Sequence, residues 1–130
     1  MASTGKTSNY KLNQWIKTDP VLMDDFNADN SKIDAAIKAV ENKIPKTTYG
    51  SYVGTDKYGS SNKNTLTFSF VPRLVCLNGH ALIRGQDNIS LSGGYCYFTW
   101  NDKKLSWYSP QGYTQQMNSS LSTYYYWATE

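Results

Sequence analysis

One histidine and two cysteines in 130 residues leave little material for metal or nucleophile chemistry. Cys76 and Cys96, with His80 as the only histidine, fall short of a zinc set and below the cysteine count of a disulfide scaffold, so both thiols read as core packing residues. No stretch approaches the roughly 18 consecutive apolar residues of a membrane helix, and the first residues have no apolar run resembling a secretory signal. Membrane insertion and secretion by the general route are not expected. Without such a signal, Asn88-Ile-Ser90 and Asn118-Ser-Ser120 read as chance matches to the glycosylation pattern. One-sided charge is absent as well: 13 basic and 10 acidic residues give +3, divided 7 to 6 over residues 1–46 and 6 to 4 afterwards. Lys57, Lys63, Arg73, Arg84, Lys103 and Lys104 follow no repeated spacing, so no nucleic acid partner is expected. No cofactor or metal is expected either.

What is abundant is aromatic, and it is unevenly placed. Of nineteen Phe, Trp and Tyr residues, only Tyr10, Trp15 and Phe26 precede residue 47. The chain therefore reads as three segments. Residues 1–18 are polar, with Tyr10, Leu12, Trp15 and Ile16 as their sizeable apolar groups; such a segment is either disordered or an attachment arm that orders against a partner through Tyr10, Leu12 and Trp15. Gly5-Lys6-Thr7 lacks the earlier glycine and preceding strand of a phosphate-binding loop.

Residues 19–46 carry helix signals. Asp19 is suited to capping, Pro20 to the first helical position, Asp24 and Asp25 to the positive end of the dipole, and Pro45 to a stop. The expected helix spans about residues 20 to 44, roughly 37 Å at about 1.5 Å per residue. Met23, Phe26, Asn30, Ile33, Ile37, Val40 and Ile44 recur at spacings of 3 and 4, a heptad seam with charged flanks. The narrow stripe favours self-association over docking on its own domain. Isoleucine at both a and d positions, with a lone Asn30 at a, favours a homotrimer.

After Pro45 the period changes to 2. Leu66, Phe68 and Phe70 alternate with polar residues, as do Cys96, Phe98 and Trp100 with Tyr95, Tyr97 and Thr99. Strands are expected near 49–54, 65–70, 73–77, 80–84, 89–91, 95–100, 105–109, 113–117 and 122–128, with Asn78-Gly79 as the best two-residue hairpin signal. The fold class is α+β arranged in series: a short trimeric coiled coil, then an antiparallel all-β sandwich, jelly-roll-like, over residues 47–130. If the strands alternate between two ends, the loops around residues 56–64, 78–79, 92–94 and 109–112 lie away from the end where the chain enters, and residues 101–104 lie near it.

Catalytic constellations are thin. The β region holds Asp56, Asp87, Asp102 and Glu130 as its carboxylates, so a glycosidase pair would have to come from turn residues with simpler roles. A Cys-His nucleophile from Cys76 or Cys96 with His80 would need a proximity that spacing does not supply. The chain is not expected to be an enzyme. Tyrosine and tryptophan suit recognition, since their rings stack on sugars and proteins and carry polar handles, although packing accounts for many of them. The loop-end positions Lys57, Tyr58, Asn62, Asn78, His80 and Tyr113 are the candidate receptor contacts.

Several segments resemble a known family. Asn9-Tyr-Lys-Leu-Asn-Gln-Trp15, Asp19-Pro-Val-Leu-Met-Asp-Asp-Phe-Asn-Ala-Asp-Asn30 and Lys32-Ile-Asp-Ala-Ala-Ile37 are similar to the N-terminal part of short tail-fibre or receptor-binding tip proteins of phages, prophages and phage-tail-like particles of Gram-positive bacteria. Tyr58-Gly-Ser-Ser-Asn-Lys-Asn-Thr-Leu-Thr-Phe68 with Phe70, Pro72 and Leu74, and Gln116-Met-Asn118 followed by Ser122-Thr-Tyr-Tyr-Tyr-Trp127, are similar to the β tip of the same proteins. The resemblance implies a virion component assembled in the bacterial cytoplasm. It implies a trimeric phage tail fibre, attached to a tail or baseplate protein through its N-terminus and binding a host surface glycan or protein through its β domain. The alternative expectation is a purely structural baseplate, collar or plug protein.

Overall fold

The computed structural model describes residues 3–130, a mostly β chain with one helix and antiparallel sheets, α+β in broad class. It divides into two compact units between Ile44 and Pro45. Residues 1 and 2 of the expected arm lie outside the described residues.

In the first unit, β1 (Gly5–Lys6) and β2 (Asn13–Gln14) pair antiparallel ahead of α1 (Met23–Glu41). The arm thus packs against the helix of its own chain. Asp29 is the buried residue of α1, and its carboxylate accepts from the Asn13 backbone N–H at 2.8 Å and from Asn13 Nδ2 at 2.9 Å. Trp15 lies against Phe26 with ring centroids 5.9 Å apart, and Lys32 Nζ donates to the Lys11 carbonyl at 2.9 Å.

The helix is shorter than the expected 20–44. At its start, the Asp19 carboxylate accepts instead from Thr4 N, Thr4 Oγ1 and Ile16 N at 2.6 to 2.9 Å, and these donors hold it below the usual carboxylate range. The cap position falls to Leu22, which has no side chain for the task, while Asp24 and Asp25 still sit in the first turn. At the other end Asn42 N bonds back to Lys38 O, and Ile44 lies in the turn beyond the helix. The seam on α1 therefore ends at Val40.

The second unit holds eight strands: β3 (Thr47–Val53), β4 (Asn64–Thr67), β5 (Leu74–Leu77), β6 (His80–Ile83), β7 (Asn88–Leu91), β8 (Gly94–Asn101), β9 (Lys104–Tyr108) and β10 (Thr123–Thr129). They form two four-stranded antiparallel sheets, ordered β3-β10-β5-β6 and β4-β9-β8-β7. Both sheets feed one core: Val75, Leu77, Leu82 and Ala128 from the first meet Cys96, Phe98, Leu105 and Trp107 from the second. Each of those eight strands lies near an expected one. The ninth, at 113–117, is a run of turns, because Gln116 N, Met117 N and Asn118 N bond back to Gly112 O, Thr114 O and Tyr113 O.

Antiparallel pairing sets the two ends of this unit. β3 and β10 run in opposite directions over their full length, so loops 54–63 and 109–122 share the end opposite the start of β3. The Ser92-Gly93 turn joins them there through Gln115 Nε2, which donates to Ser92 O at 3.0 Å. Asn78-Gly79 closes β5 onto β6 at the same end, with φ of 48° and 82°, the left-handed pair that a two-residue hairpin requires. At the entry end, Arg84 Nη1 donates to the carbonyls of Pro72 and Asp102 at 3.3 and 3.0 Å, with its guanidinium carbon 5.8 Å from the Trp100 ring centroid.

Candidate functional site

The loops opposite the entry end are organised by two buried amides. Gln116 Oε1 accepts from Gly59 N at 2.9 Å and Ser109 N at 3.0 Å, while its Nε2 donates to Asn62 O at 2.6 Å and Asn64 Oδ1 at 2.9 Å. Its own carbonyl accepts from Trp107 Nε1 at 2.8 Å. Asn118 repeats the pattern: Oδ1 accepts from Thr55 N and Asn64 Nδ2, both at 3.1 Å, and Nδ2 donates to Thr55 Oγ1 at 2.9 Å and Lys57 O at 2.7 Å. Every donor and acceptor of the two side-chain amides is used, which is what makes burial of so much polarity tolerable. A third tie is Asp56, at φ 59°, whose carboxylate accepts from Ser120 N at 2.7 Å and Ser120 Oγ at 2.6 Å; these donors lower its pKa. The backbones approach so closely at Gly54 that a β-carbon there would collide with Ser119 O.

Beside this lattice an open cleft of about 340 Å³ lies between the edge strands β3 and β4. The half-buried ring of Tyr52 lines it, backed by the buried Trp107 with centroids 5.7 Å apart, and Lys57, Asn62 and Lys63 also line it. Tyr52 OH donates to Met117 O at 2.8 Å, and burial, with Tyr124 and Cys96 nearby, pushes its pKa upward. The cleft thus combines ring surface, amides and ammonium groups, a set for recognition by contact.

Of the expected receptor contacts, Lys57 and Asn62 line this cleft. Tyr58 is exposed in the same loop, its carbonyl accepting from Asn62 Nδ2 at 3.2 Å, and Tyr113 is exposed in the loop carrying the two amides. Asn78 and His80 belong to the β5–β6 hairpin at the other edge of the first sheet, across β10 and β5 from β3, so they do not join the others at the cleft. In the first unit, Leu12 and Trp15 line a depression with Phe26, Asn30 and Ile33, and Tyr10 borders an apolar groove with Ile33, Ile37 and Val40.

The cysteines part company with the expectation that both pack the core. Cys96 points inward and is buried, its thiol pushed up to about 12 by burial, whereas Cys76 points outward from β5 and is half-buried; both are free. Asp56 lies at the loop end and Asp102 in the β8–β9 turn at the entry end, so these two do not form a carboxylate pair. Among the described residues no group of three or more His, Cys, Asp or Glu side chains is placed to hold a metal, and no helix is long and apolar enough to cross a membrane.

The sequence alone points to no role for Gln116 and Asn118 beyond the expected resemblance, nor for Tyr52 and Trp107. The available signal was two amides flanking a methionine just before a strand, a composition unsuited to the strand expected there. No protein-family model, curated protein or solved structure matches the chain.

Proposed function

We propose that the chain is the receptor-binding tip of a phage tail fibre or phage-tail-like particle: a homotrimer, attached through its first unit, that binds a host surface glycan or protein through its β unit without catalysis. The observation that carries this reading is the uncovered seam of α1. Met23, Phe26, Ile33, Ile37 and Val40 keep between 42% and 74% of their surface in water in the single chain, although they recur at heptad spacing. The groove of about 370 Å³ lined by Ile33, Ala36, Ile37 and Val40 suits apolar knobs from a neighbouring helix.

A second uncharged surface supports the same association. On the outward face of β3-β10-β5-β6, Tyr49, Trp127, Cys76 and Ala81 stand in register across all four strands, with Ile83 exposed beside them. In this reading the two sheets stack as a jelly-roll-like sandwich. The pairing of first strand with last and second with seventh supports that, while the consecutive β5–β6 and β7-β8-β9 pairings depart from the strict form. Cleft and loops at the end opposite the entry then face the host.

Light scattering tests the premise directly. The intact chain is expected at about three times 14.7 kDa, and Ile33→Asp with Ile37→Asp is expected to reduce it to one chain with the β signal of circular dichroism retained. A wild-type mass of one chain at tens of micromolar overturns the proposal.

A further inference from the structure

Resting on that reading, we propose that the outward face of the β4-β9-β8-β7 sheet is a polysaccharide-binding surface, with Tyr95, Tyr97, Tyr108 and Lys63 as its line of contact. Alternation on β8 places Tyr95 and Tyr97 on one face, and the β8–β9 register sets Tyr97 directly opposite Tyr108. Centroids are 6.4 Å apart from Tyr95 to Tyr97 and 5.5 Å from Tyr97 to Tyr108, with the planes tilted by 32° and 30°. Lys63 Nζ ends the line 5.5 Å from the Tyr108 centroid. Tyr95 and Tyr97 remain exposed in the single chain.

What surrounds the line identifies the occupant. Thr65, Thr99 and Ser106 face outward beside it, Thr65 Oγ1 and Ser106 Oγ sharing a hydrogen bond at 2.8 Å. No outward position of β4, β7, β8 or β9 carries an aliphatic side chain or a carboxylate. The first sheet, with its Tyr49-Trp127-Cys76-Ala81 row, has the apolar area that drives protein association; this one has little. Ring surfaces fit the C–H faces of pyranoses and the hydroxyls fit their hydroxyl groups; Lys63 and Lys104 stand on this face, and at its β7 border the Asp87 carboxylate accepts from the outward Asn88 Nδ2 at 2.7 Å. The line is also firmly based: Tyr95 N donates to Gln111 Oε1 at 3.3 Å, and Gln115 fastens the β7–β8 turn.

The test uses the labelled full chain on a panel of Gram-positive cells, with and without periodate oxidation of their surface sugars. Expected is adsorption that periodate abolishes, and that falls at least tenfold in Tyr97→Thr and Tyr108→Thr, substitutions chosen to suit a strand. A smaller fall is expected in Lys63→Gln. Circular dichroism and light scattering identify variants that have lost their fold, and Tyr97→Phe, which keeps the ring, is expected to retain most binding. Adsorption that resists periodate but is removed by protease treatment of the cells overturns this inference and leaves the receptor-binding proposal standing with a protein receptor. Sensitivity to periodate with unaltered Tyr97 and Tyr108 variants overturns the placement on this face. No adsorption to any cell overturns both.

Discussion

Asn118 Nδ2 donates to the carbonyl of Lys57 at 2.7 Å, joining two loops 61 residues apart in the chain. Together with Gln116 it makes the polar lattice that holds the loop end, and either amide is costly to lose because its buried partners would be stranded. Gln116→Leu is expected to destabilise the protein by about 2 to 5 kcal/mol in urea unfolding. Asn118→Ala should do the same and expose residues 54–63 to limited proteolysis. Unchanged midpoints for both variants would show that the lattice contributes little.

Acid should loosen the same end. The carboxylate of Asp56 has its pKa held below the ordinary 3.8 by the two Ser120 donors. A depressed native value means that the stabilisation is complete above the unfolded value and is lost as pH falls through the native one. Asp19 has the same sign, through Thr4 and Ile16. Asp56→Asn keeps a side chain tolerant of φ 59° but removes the charge. Its thermal midpoint is expected to fall less than that of wild type between pH 7 and pH 3.

Removal of the Asp29 carboxylate should free the arm. Asp29→Ala takes away two of the three acceptors of Asn13, leaving Asp25 O at 3.2 Å from Nδ2, and each bond to the charged group is worth about 1.5 to 3 kcal/mol. Amide exchange over residues 4–19 should then accelerate at least tenfold, with the second unit unaffected. Uniform protection in the variant would assign the ordering of the arm to Trp15 and Phe26 instead.

The thiols should differ in kinetics. An aromatic disulfide reagent at pH 8 is expected to modify Cys76 in the folded protein and Cys96 only after unfolding, because the buried Cys96 thiol is held neutral to about 12. The raised value also implies that stability contributed by Cys96 is complete below its ordinary 9.0 and erodes as pH rises above it. Simultaneous modification of both would contradict the inward orientation of β8.

Much of the architecture was legible because it is carried by short-range rules. Asn78-Gly79 closes its hairpin for the reason two-residue turns favour that pair, and alternation along Tyr95 to Trp100 put Cys96 and Phe98 inward. Reading failed where a side chain had two uses. Asp19 and Pro20 carry real capping chemistry, but the Asp19 carboxylate is engaged by Thr4 and Ile16, so the helix starts three residues later than expected. At 113–117 the turn is stabilised by bonds from Gln116 to residues far away in the chain, which no local pattern records. Placing Lys57 and Asn62 at one end required only strand parity; the cleft lined by Tyr52 and backed by Trp107 depends on how two edge strands approach, a long-range fact.

Glu130 N donates to Lys46 O at 2.9 Å, and Lys46 Nζ lies 3.7 Å from Glu130 Oε2. The polypeptide of the β unit therefore forms a nearly closed ring, with its two extremities tied to each other. A short glycine-serine bridge from Glu130 to Pro45 would complete the circle, and new ends could be opened at Asn78-Gly79 without breaking a sheet. Such circular permutants would let the β unit be tethered from either of its two ends.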